Sequence, residues 1–135
     1  MLAIEKIKSG DKVISTDPET METSPKTVLE TYIREVTTLV HLTVNGEEIV
    51  TTVDHPFYVK NQGFIKAGEL IVGDELLDVN GNVLLVEKFN VELTDEPTTV
   101  YNFQVEDFHT YHVSGFGVLV HWCIMQSILQ RKCKK

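Results

Sequence analysis

The chain has 135 residues, 42% of them apolar, and a formal net charge of −8, which predicts one globular domain and excludes two domains of ordinary size. The negative charge argues against nucleic acid as a partner, because its phosphates would be repelled over most of the surface. No apolar run is long enough for a transmembrane helix, and residues 1–10 lack the pattern of a signal peptide, so we expect no membrane partner and a cytoplasmic location by default.

Short strands separated by turns are predicted along most of the chain. The strand segments are rich in Val, Ile, Thr, Tyr and Phe, and in chain order they are KVIS, KTVLETYIREV, TLVHLTV, EIVTTV, FYV, ELLDV, VLLVEKFNVEL, TVYNFQV, TYHV and GVLVHW. The turns between them are DPET, NGEE, KNQG, VNGN, TDEP and SGFG. Two short helices are predicted at LAIEKIKSGD and IKAGELIVGD. This pattern predicts an all-β fold with one or two short helices.

The two halves of the chain resemble each other. IKSGDKVIS aligns with LIVGDELLD through the pairs Gly10-Asp11 and Gly73-Asp74, TTLVHLTV aligns with TTVYNFQV, and HPFYV aligns with HTYHV. The three matches occur in the same order, and the spacing between matched residues shortens from the first match to the third. We therefore predict a duplicated β subdomain with pseudo-two-fold symmetry, since a period of about sixty residues present in two copies is too long for a solenoid.

The last thirteen residues form a separate compositional unit. Residues 123–135 contain four basic residues and no acid, so we divide the chain into a domain at 1–122 and a basic tail at 123–135, either helical or disordered. Ile124, Met125, Ile128 and Leu129 have helical spacing. Cys123 and Cys133 match the spacing of neither a metal-binding pair nor a disulfide framework, and we expect free thiols.

The stretch TTVDHPFYV contains the first candidate site. Thr52 and His55 are three residues apart and would lie on opposite faces of a regular strand, but Pro56 favours a bend that lets the hydroxyl and the imidazole converge. The alternative is a partly buried histidine with a satisfied hydrogen bond. His109 and His112 would diverge in a strand and have no third ligand at useful spacing, so we predict no metal site.

These motifs resemble those of the Hint superfamily, which comprises inteins, bacterial intein-like domains, the Hint modules of polymorphic toxins and the hedgehog autoprocessing domain. TTVDHPFYV is similar to its Thr-x-x-His motif, and TVYNFQVEDFHTYHVSGFGVLVHW to its C-terminal motifs. AIEKIKSGDKV and FIKAGELIVGDELL also match the pattern of bacterial intein-like and pretoxin Hint sequences, in order from Leu2 to His121. The resemblance implies an all-β horseshoe built from a duplicated subdomain.

The resemblance also implies self-processing of the peptide backbone without cofactor or metal. In such domains a leading cysteine or serine attacks the preceding carbonyl, and His55 would supply a proton while Thr52 orients the scissile peptide. His121 matches the histidine that assists cyclisation of a terminal asparagine, and His109 matches a position that assists the same second cleavage. Weaker candidates are Asn102, where many inteins have an aspartate that links the two steps, and Asp54 within the Thr-x-x-His motif.

Two departures from the family pattern affect the expected activity. The pattern places the nucleophilic cysteine and a first strand upstream of the segment that matches LAIEKIKSGD, and this sequence has neither. Trp122 follows His121 where the family has asparagine, and an indole has no carboxamide with which to cyclise. Cys123 stands where a downstream nucleophile would be, without the usual route for its release. We therefore expect the chain to be inactive alone.

Three interpretations remain open on sequence grounds. The chain is a processing domain whose first strand comes from another polypeptide or was lost, or a degenerate Hint domain that serves as a spacer or interaction module, or a β-rich binding domain with chance matches. The partners expected under the first are the flanking polypeptide and the missing strand, supplied in cis or in trans, or a second copy of the chain through an unpaired edge. Membership of the family would also be compatible with a secreted parent protein.

Overall fold

A computed structural model describes residues 6–113 and 117–121, and within them it contains nine strands and one complete 3-10 turn. The strands are β1 (Lys12–Thr16), β2 (Thr23–Val44), β3 (Glu47–Thr51), β4 (Pro56–Val59), β5 (Gly63–Lys66), β6 (Glu75–Leu77), β7 (Val83–Val105), β8 (Thr110–Val113) and β9 (Val118–His121). The 3-10 turn, Ala67–Glu69, follows β5. No helix within this part of the chain is long and apolar enough to cross a membrane.

The strands form a single antiparallel sheet that curves until its two ends meet. The order across the sheet is β1-β2-β7-β6-β4-β9-β8, with β3 paired to β2 and β5 paired to β4. Side chains then join the two end strands: the Ser15 hydroxyl on β1 donates to the carbonyl of Thr110 on β8 at 2.8 Å. The Thr16 N–H donates to the Thr110 hydroxyl at 2.9 Å. The predicted all-β fold is confirmed, and it takes the form of a nearly closed barrel.

The predicted internal repeat is confirmed by matching hydrogen bonds in its two copies. Gly10 and Gly73 have φ angles of 93° and 97°, which cost a glycine little. The carboxylates of Asp11 and Asp74 each accept a hydrogen bond from the backbone N–H three residues earlier, at 3.1 and 2.9 Å. The backbone bonds also correspond: Gly10 N–H to Val28 O and Gly73 N–H to Val86 O, then Val28 N–H to Asp11 O and Val86 N–H to Asp74 O.

The two aspartates provide a test of this equivalence. We expect Asp11→Ala and Asp74→Ala each to lower the free energy of unfolding by about 1 kcal/mol, because each removes the carboxylate that accepts from the equivalent backbone N–H of its turn. Urea denaturation measures both, with the exposed Asp95→Ala as the matched control, expected within about 0.5 kcal/mol of the parent chain. A large loss from one aspartate and none from the other would contradict the equivalence of the two turns.

The two copies exchange strands. β4 of the first copy pairs with β6 of the second, with Val59 opposite Leu76. The Lys60 N–H extends this pair by donating to Glu75 O at 2.8 Å. In the corresponding place, β8 of the second copy contacts β1 of the first through the Ser15 and Thr16 bonds described above. Each copy is therefore completed by a strand of the other.

One strand of the first copy has no counterpart in the second. In the first copy β3 lies between β2 and His55, whereas in the second copy a short turn connects β7 directly to His109. His55 and His109 thus occupy corresponding places, immediately before β4 and β8. The first copy thus contains a strand, β3, that the second copy lacks.

β2 and β7 are longer than the sequence predicts. Each was expected as two strands, but β2 runs for 22 residues and β7 for 23, against a usual 3–10. The predicted turn TDEP lies within β7, where Val36 is opposite Thr98 and Thr38 opposite Leu93, so that residues 94–97 bulge against Thr37. Pairing with β2 keeps this segment extended, because bulged residues can be carried within a ladder.

The predicted helices are shorter than expected. The second, IKAGELIVGD, contains only the 3-10 turn, and its last residues form the Gly73-Asp74 turn. In the described part of the first, only Lys6 has 3-10 conformation and residues 7–11 form the equivalent turn. Glycines at 10, 68 and 73 disfavour α-helix in both segments. The basic tail at 123–135, with its predicted helix, lies outside the described residues.

Candidate functional site

The Thr-x-x-His segment forms a tight bend between β3 and β4. The His55 N–H is 3.4 Å from Thr52 O, and Pro56 begins β4, so the predicted bend is present. Thr52 is 2% exposed and His55 is 0% exposed, while Val53 between them is 40% exposed. The bend therefore buries the hydroxyl and the imidazole and leaves the intervening side chain at the surface.

The 3-10 turn after β5 holds this bend in place. The Ala67 N–H donates to His55 O at 2.9 Å, and the Gly68 N–H donates to Val53 O at 2.8 Å. The first N–H groups of a helical turn have no partner within the turn, so they are available to bind these carbonyls. A Cβ on Gly68 would lie 3.0 Å from Val53 O and 3.3 Å from Val53 Cβ. Glycine at this position therefore permits the close approach of the two segments.

We expect Gly68→Ala to shift the bend and lower the free energy of unfolding by about 1–3 kcal/mol, the usual result of inserting a methyl group into a packed contact. Thermal unfolding measures the loss, and the Thr52 and His55 amide signals in NMR spectra report the movement. Glu69→Ala, a change at an exposed residue of the same turn, is the control. It should alter neither the unfolding temperature nor the amide signals of Thr52 and His55. Unchanged stability together with unchanged amide signals in Gly68→Ala would contradict the close packing described here.

Aromatic rings surround His55 on two sides. Its ring centroid lies 5.9 Å from that of Phe57 and 6.1 Å from that of Tyr111, both edge to face. The Tyr111 ring lies 4.1 Å from Phe103. Because Phe57 and Tyr111 occupy corresponding positions on β4 and β8, the duplicated strands contribute equivalent rings to one apolar site.

Asn102 is connected to this site through Tyr111. The Tyr111 hydroxyl donates to Asn102 Oδ1 at 2.8 Å, and the Phe103 N–H donates to the same oxygen at 2.9 Å. Asn102 is 1% exposed. Because a backbone N–H must donate, the side-chain oxygen rather than the nitrogen faces these groups. The structure thus places Asn102, a weak candidate on sequence grounds, beside the aromatic rings that contact His55.

The candidates for the second cleavage, His109 and His121, lie at the start of β8 and at the end of β9. His109 is exposed, with a φ of 57°, at the end of the turn before β8. His121 is the last residue of β9, and its backbone pairs with Thr110, which brings it next to the residue that follows His109. The side chain of His121 and the whole of Cys123 lie outside the described part of the chain.

Asp54 lies in the bend between Val53 and His55 and faces β2. Its Oδ1 is 3.7 Å from a guanidinium nitrogen of Arg34, and both side chains are about one-third exposed. The pair borders a cleft that opens next to Thr52. Asp54 thus lies at the outer edge of the site, whereas Thr52 and His55 lie inside it.

Sequence reasoning missed a buried polar network beside the site. His112 on β8 is 0% exposed; its Nδ1 donates to Gly117 O and its Nε2 is hydrogen-bonded to the Thr16 hydroxyl, both at 2.7 Å. A carbonyl only accepts, so Nδ1 carries a proton. This network joins β1, β8 and the start of β9. His109 and His112 diverge as predicted, one exposed and one buried, and within residues 6–113 and 117–121 no three His, Cys, Asp or Glu side chains cluster as metal ligands do.

Comparison with known proteins agrees with the motif resemblance. The family model of the pretoxin Hint domain matches residues 1–123. The solution structure of a bacterial intein-like domain from Clostridium thermocellum is 64% identical, covers 89% of this chain and 87% of its own, and superposes with a TM-score of 0.87. The Ssp DnaB mini-intein variant M86 is 16% identical, covers 96% and 85%, and has a TM-score of 0.76, which shows a shared fold.

Two curated proteins share a shorter region. An uncharacterized protein of Methanocaldococcus jannaschii, MJ0781, is 38% identical over 83 residues, 56% of this chain. The RNA polymerase III subunit rpc2 of Dictyostelium discoideum is 29% identical over 84 residues. The aligned regions make up 12% and 5% of the lengths of these two proteins.

Proposed function

Because the chain belongs to the pretoxin Hint domain family, we propose that it is a self-processing domain that cleaves a peptide backbone by acyl shift to a cysteine. The observation that carries the proposal is the bend at residues 52–55, which buries a hydroxyl and an imidazole and is held by two backbone hydrogen bonds. A pre-positioned proton donor of this kind is what departure of an amide nitrogen requires.

The proposed first step converts an amide into a thioester. A cysteine thiolate bonds to the carbonyl carbon of the preceding residue, the C–N bond breaks, and the nitrogen leaves as an amine after it accepts a proton. His55 delivers that proton, and Thr52 donates a hydrogen bond to the scissile peptide and orients it. The apolar rings of Phe57 and Tyr111 exclude water from the histidine, which strengthens its interactions with the reacting groups.

The attacking cysteine is proposed to come from a strand upstream of residue 1, in the same polypeptide or in another. The two cysteines of this sequence, Cys123 and Cys133, are at the opposite end of the chain. The second cleavage is proposed not to proceed by the family's usual route, since Trp122 has no carboxamide to attack the backbone after His121. The proposed reaction is therefore cleavage only at the N-terminal side of the domain, at the bond before the attacking cysteine.

A trans-complementation experiment tests this function. The chain is mixed with a peptide that carries a cysteine-led strand fused to a small reporter, and release of the reporter by added thiol is followed by mass spectrometry. Release at the bond before the cysteine is the expected result, with the same peptide carrying alanine in place of cysteine as the control. Absence of release from a well-folded complex would overturn the proposal and favour a degenerate domain that acts as a spacer.

The same proposal includes a strand-binding edge. Among the described residues β3 pairs only with β2, and β5 only with β4, and such edges accept an added strand. We expect the chain to bind the cysteine-led peptide or to dimerise when the peptide is absent. Sedimentation of the chain with and without the peptide measures both. A chain that stays monomeric at high concentration and does not bind the peptide would contradict strand addition.

A further inference from the structure

One buried hydroxyl distinguishes the two aromatic rings beside His55. Phe57 and Tyr111 occupy corresponding positions in the two copies of the repeat, and both side chains are 0% exposed. Their rings meet His55 in nearly the same way, at centroid distances of 5.9 and 6.1 Å and interplanar angles of 70° and 67°. Burial of a hydroxyl costs free energy unless it is hydrogen-bonded. Packing alone therefore does not account for the oxygen of Tyr111, since phenylalanine packs equally well in the first copy.

The Tyr111 hydroxyl is held by an acceptor that is itself fixed. It donates to Asn102 Oδ1 at 2.8 Å, and the backbone N–H of Phe103 donates to the same oxygen at 2.9 Å. Asn102 lies on β7, opposite Tyr32 in the ladder with β2. The Phe103 ring also packs against the Tyr111 ring, with 4.1 Å between centroids and an angle of 34°. The tyrosine ring is therefore attached at its tip and packed along its side.

Attachment at the tip gives the Tyr111 ring an orientation that packing does not supply. A hydrogen bond has a preferred donor–acceptor direction, whereas the hydrophobic effect is non-directional. Because the Tyr111 and His55 rings meet edge to face, a tilt of the tyrosine ring moves one of the walls against which the imidazole packs. The hydrogen bond to Asn102 fixes that tilt from within the long β2–β7 ladder.

We propose that Tyr111 is a positioning residue for the cleavage and that its hydroxyl, anchored on Asn102, sets the orientation of the His55 imidazole. The inference rests on the proposed function, in which His55 delivers a proton to the leaving nitrogen. A proton donor acts only within hydrogen-bond reach of the atom that it protonates, and a misplacement of about 1 Å can slow a reaction about 10²-fold. Phe57 contributes packing to this arrangement, and Tyr111 contributes packing and a fixed orientation.

Tyr111→Phe tests the proposal, because it removes the hydroxyl and keeps the ring. In the trans-complementation mixture we expect release at saturating peptide to slow about tenfold. The peptide concentration that gives half the maximal rate should stay the same, since the hydroxyl acts on the proton donor and not on peptide binding. In the chain without peptide, the NMR signals of the His55 ring protons should shift, because the ring current of the neighbouring aromatic ring changes with its tilt.

Two control variants separate positioning from other effects. Tyr58→Phe removes a hydroxyl from β4, where the Tyr58 ring packs 5.2 Å from that of Phe64, and it should alter neither release nor the His55 signals. Val44→Ala truncates a side chain that is 1% exposed at the end of β2, so it destabilises the domain without removing the hydroxyl. Below its unfolding transition it should release at the rate of the parent chain.

The outcomes distinguish this inference from the proposed function. Slower release in Tyr111→Phe, with an unchanged half-saturating concentration and altered His55 signals, supports the inference. Release at the parent rate, an equal slowing in Val44→Ala, or His55 signals identical to those of the parent chain would overturn it. If the parent chain releases no reporter, the proposed function fails, and the His55 signals of the free chain still decide whether the hydroxyl orients the imidazole.

Discussion

Replacement of His55 with alanine is expected to slow thiol-dependent release of the reporter by about 10²- to 10⁴-fold, the range by which one general acid or base contributes to catalysis. Without the imidazole, the amide nitrogen must leave without a positioned proton, and the thioester does not form at a useful rate. The measurement is the rate of release by mass spectrometry in the trans-complementation mixture.

Two further variants make this result specific. His55→Gln keeps hydrogen-bonding capacity and much of the volume between Phe57 and Tyr111, so it separates loss of the proton donor from loss of packing. His41→Ala removes a surface histidine on β2 and should release at the rate of the parent chain. If His55→Gln releases as fast as the parent while remaining folded, His55 does not serve as the proton donor.

The largest effect on stability is expected from Phe103→Ala, with a loss of about 3–5 kcal/mol in the free energy of unfolding. Phe103 is 1% exposed, and its ring packs 4.1 Å from that of Tyr111, so truncation leaves a cavity and removes an aromatic contact. Such a loss is a large share of the 5–15 kcal/mol typical of a domain. It should lower the midpoint of thermal unfolding by roughly 10–20 °C.

Ile33→Ala on the neighbouring strand β2 is the matched control, since Ile33 is 71% exposed and its truncation should cost no more than about 0.5 kcal/mol. Phe103→Ala should also weaken the alignment of Tyr111 with Asn102, visible as broadened amide signals around residue 102. Equal midpoints for the two variants would contradict the packing of the core around the site.

The parts of the fold that could be predicted depend on local chemistry. The Gly10-Asp11 and Gly73-Asp74 turns use a glycine at positive φ and an aspartate that binds a nearby backbone N–H, so the sequence carries the signal within a few residues. The bend at Pro56 is equally local, because proline cannot donate to a strand ladder. These signals are sufficient to predict the repeat, the all-β class and the bend between Thr52 and His55.

The parts that could not be predicted depend on distant partners. The TDEP segment has turn residues, but pairing with β2 carries it within β7. The sequence suggests only His109 as a partner for His112. Its actual partners are Thr16, which the contact of β1 with β8 brings to it, and Gly117, directly before β9. All four residues of β8 are buried, so the alternation that reveals one buried face of a strand is absent. Nothing near Arg34 in sequence indicates that it faces Asp54.

The exchange of strands between the two copies also sets the time during synthesis at which the barrel can close. β1 is made early, but the groups that close the barrel against it lie 94 to 96 residues later, on β8. Tyr111, which covers one side of His55, belongs to the same late strand. While the ribosome is still making β8, the histidine has only part of its surroundings and the barrel is open. Under the proposed function, cleavage therefore waits until β8 has been translated and has closed the barrel against β1.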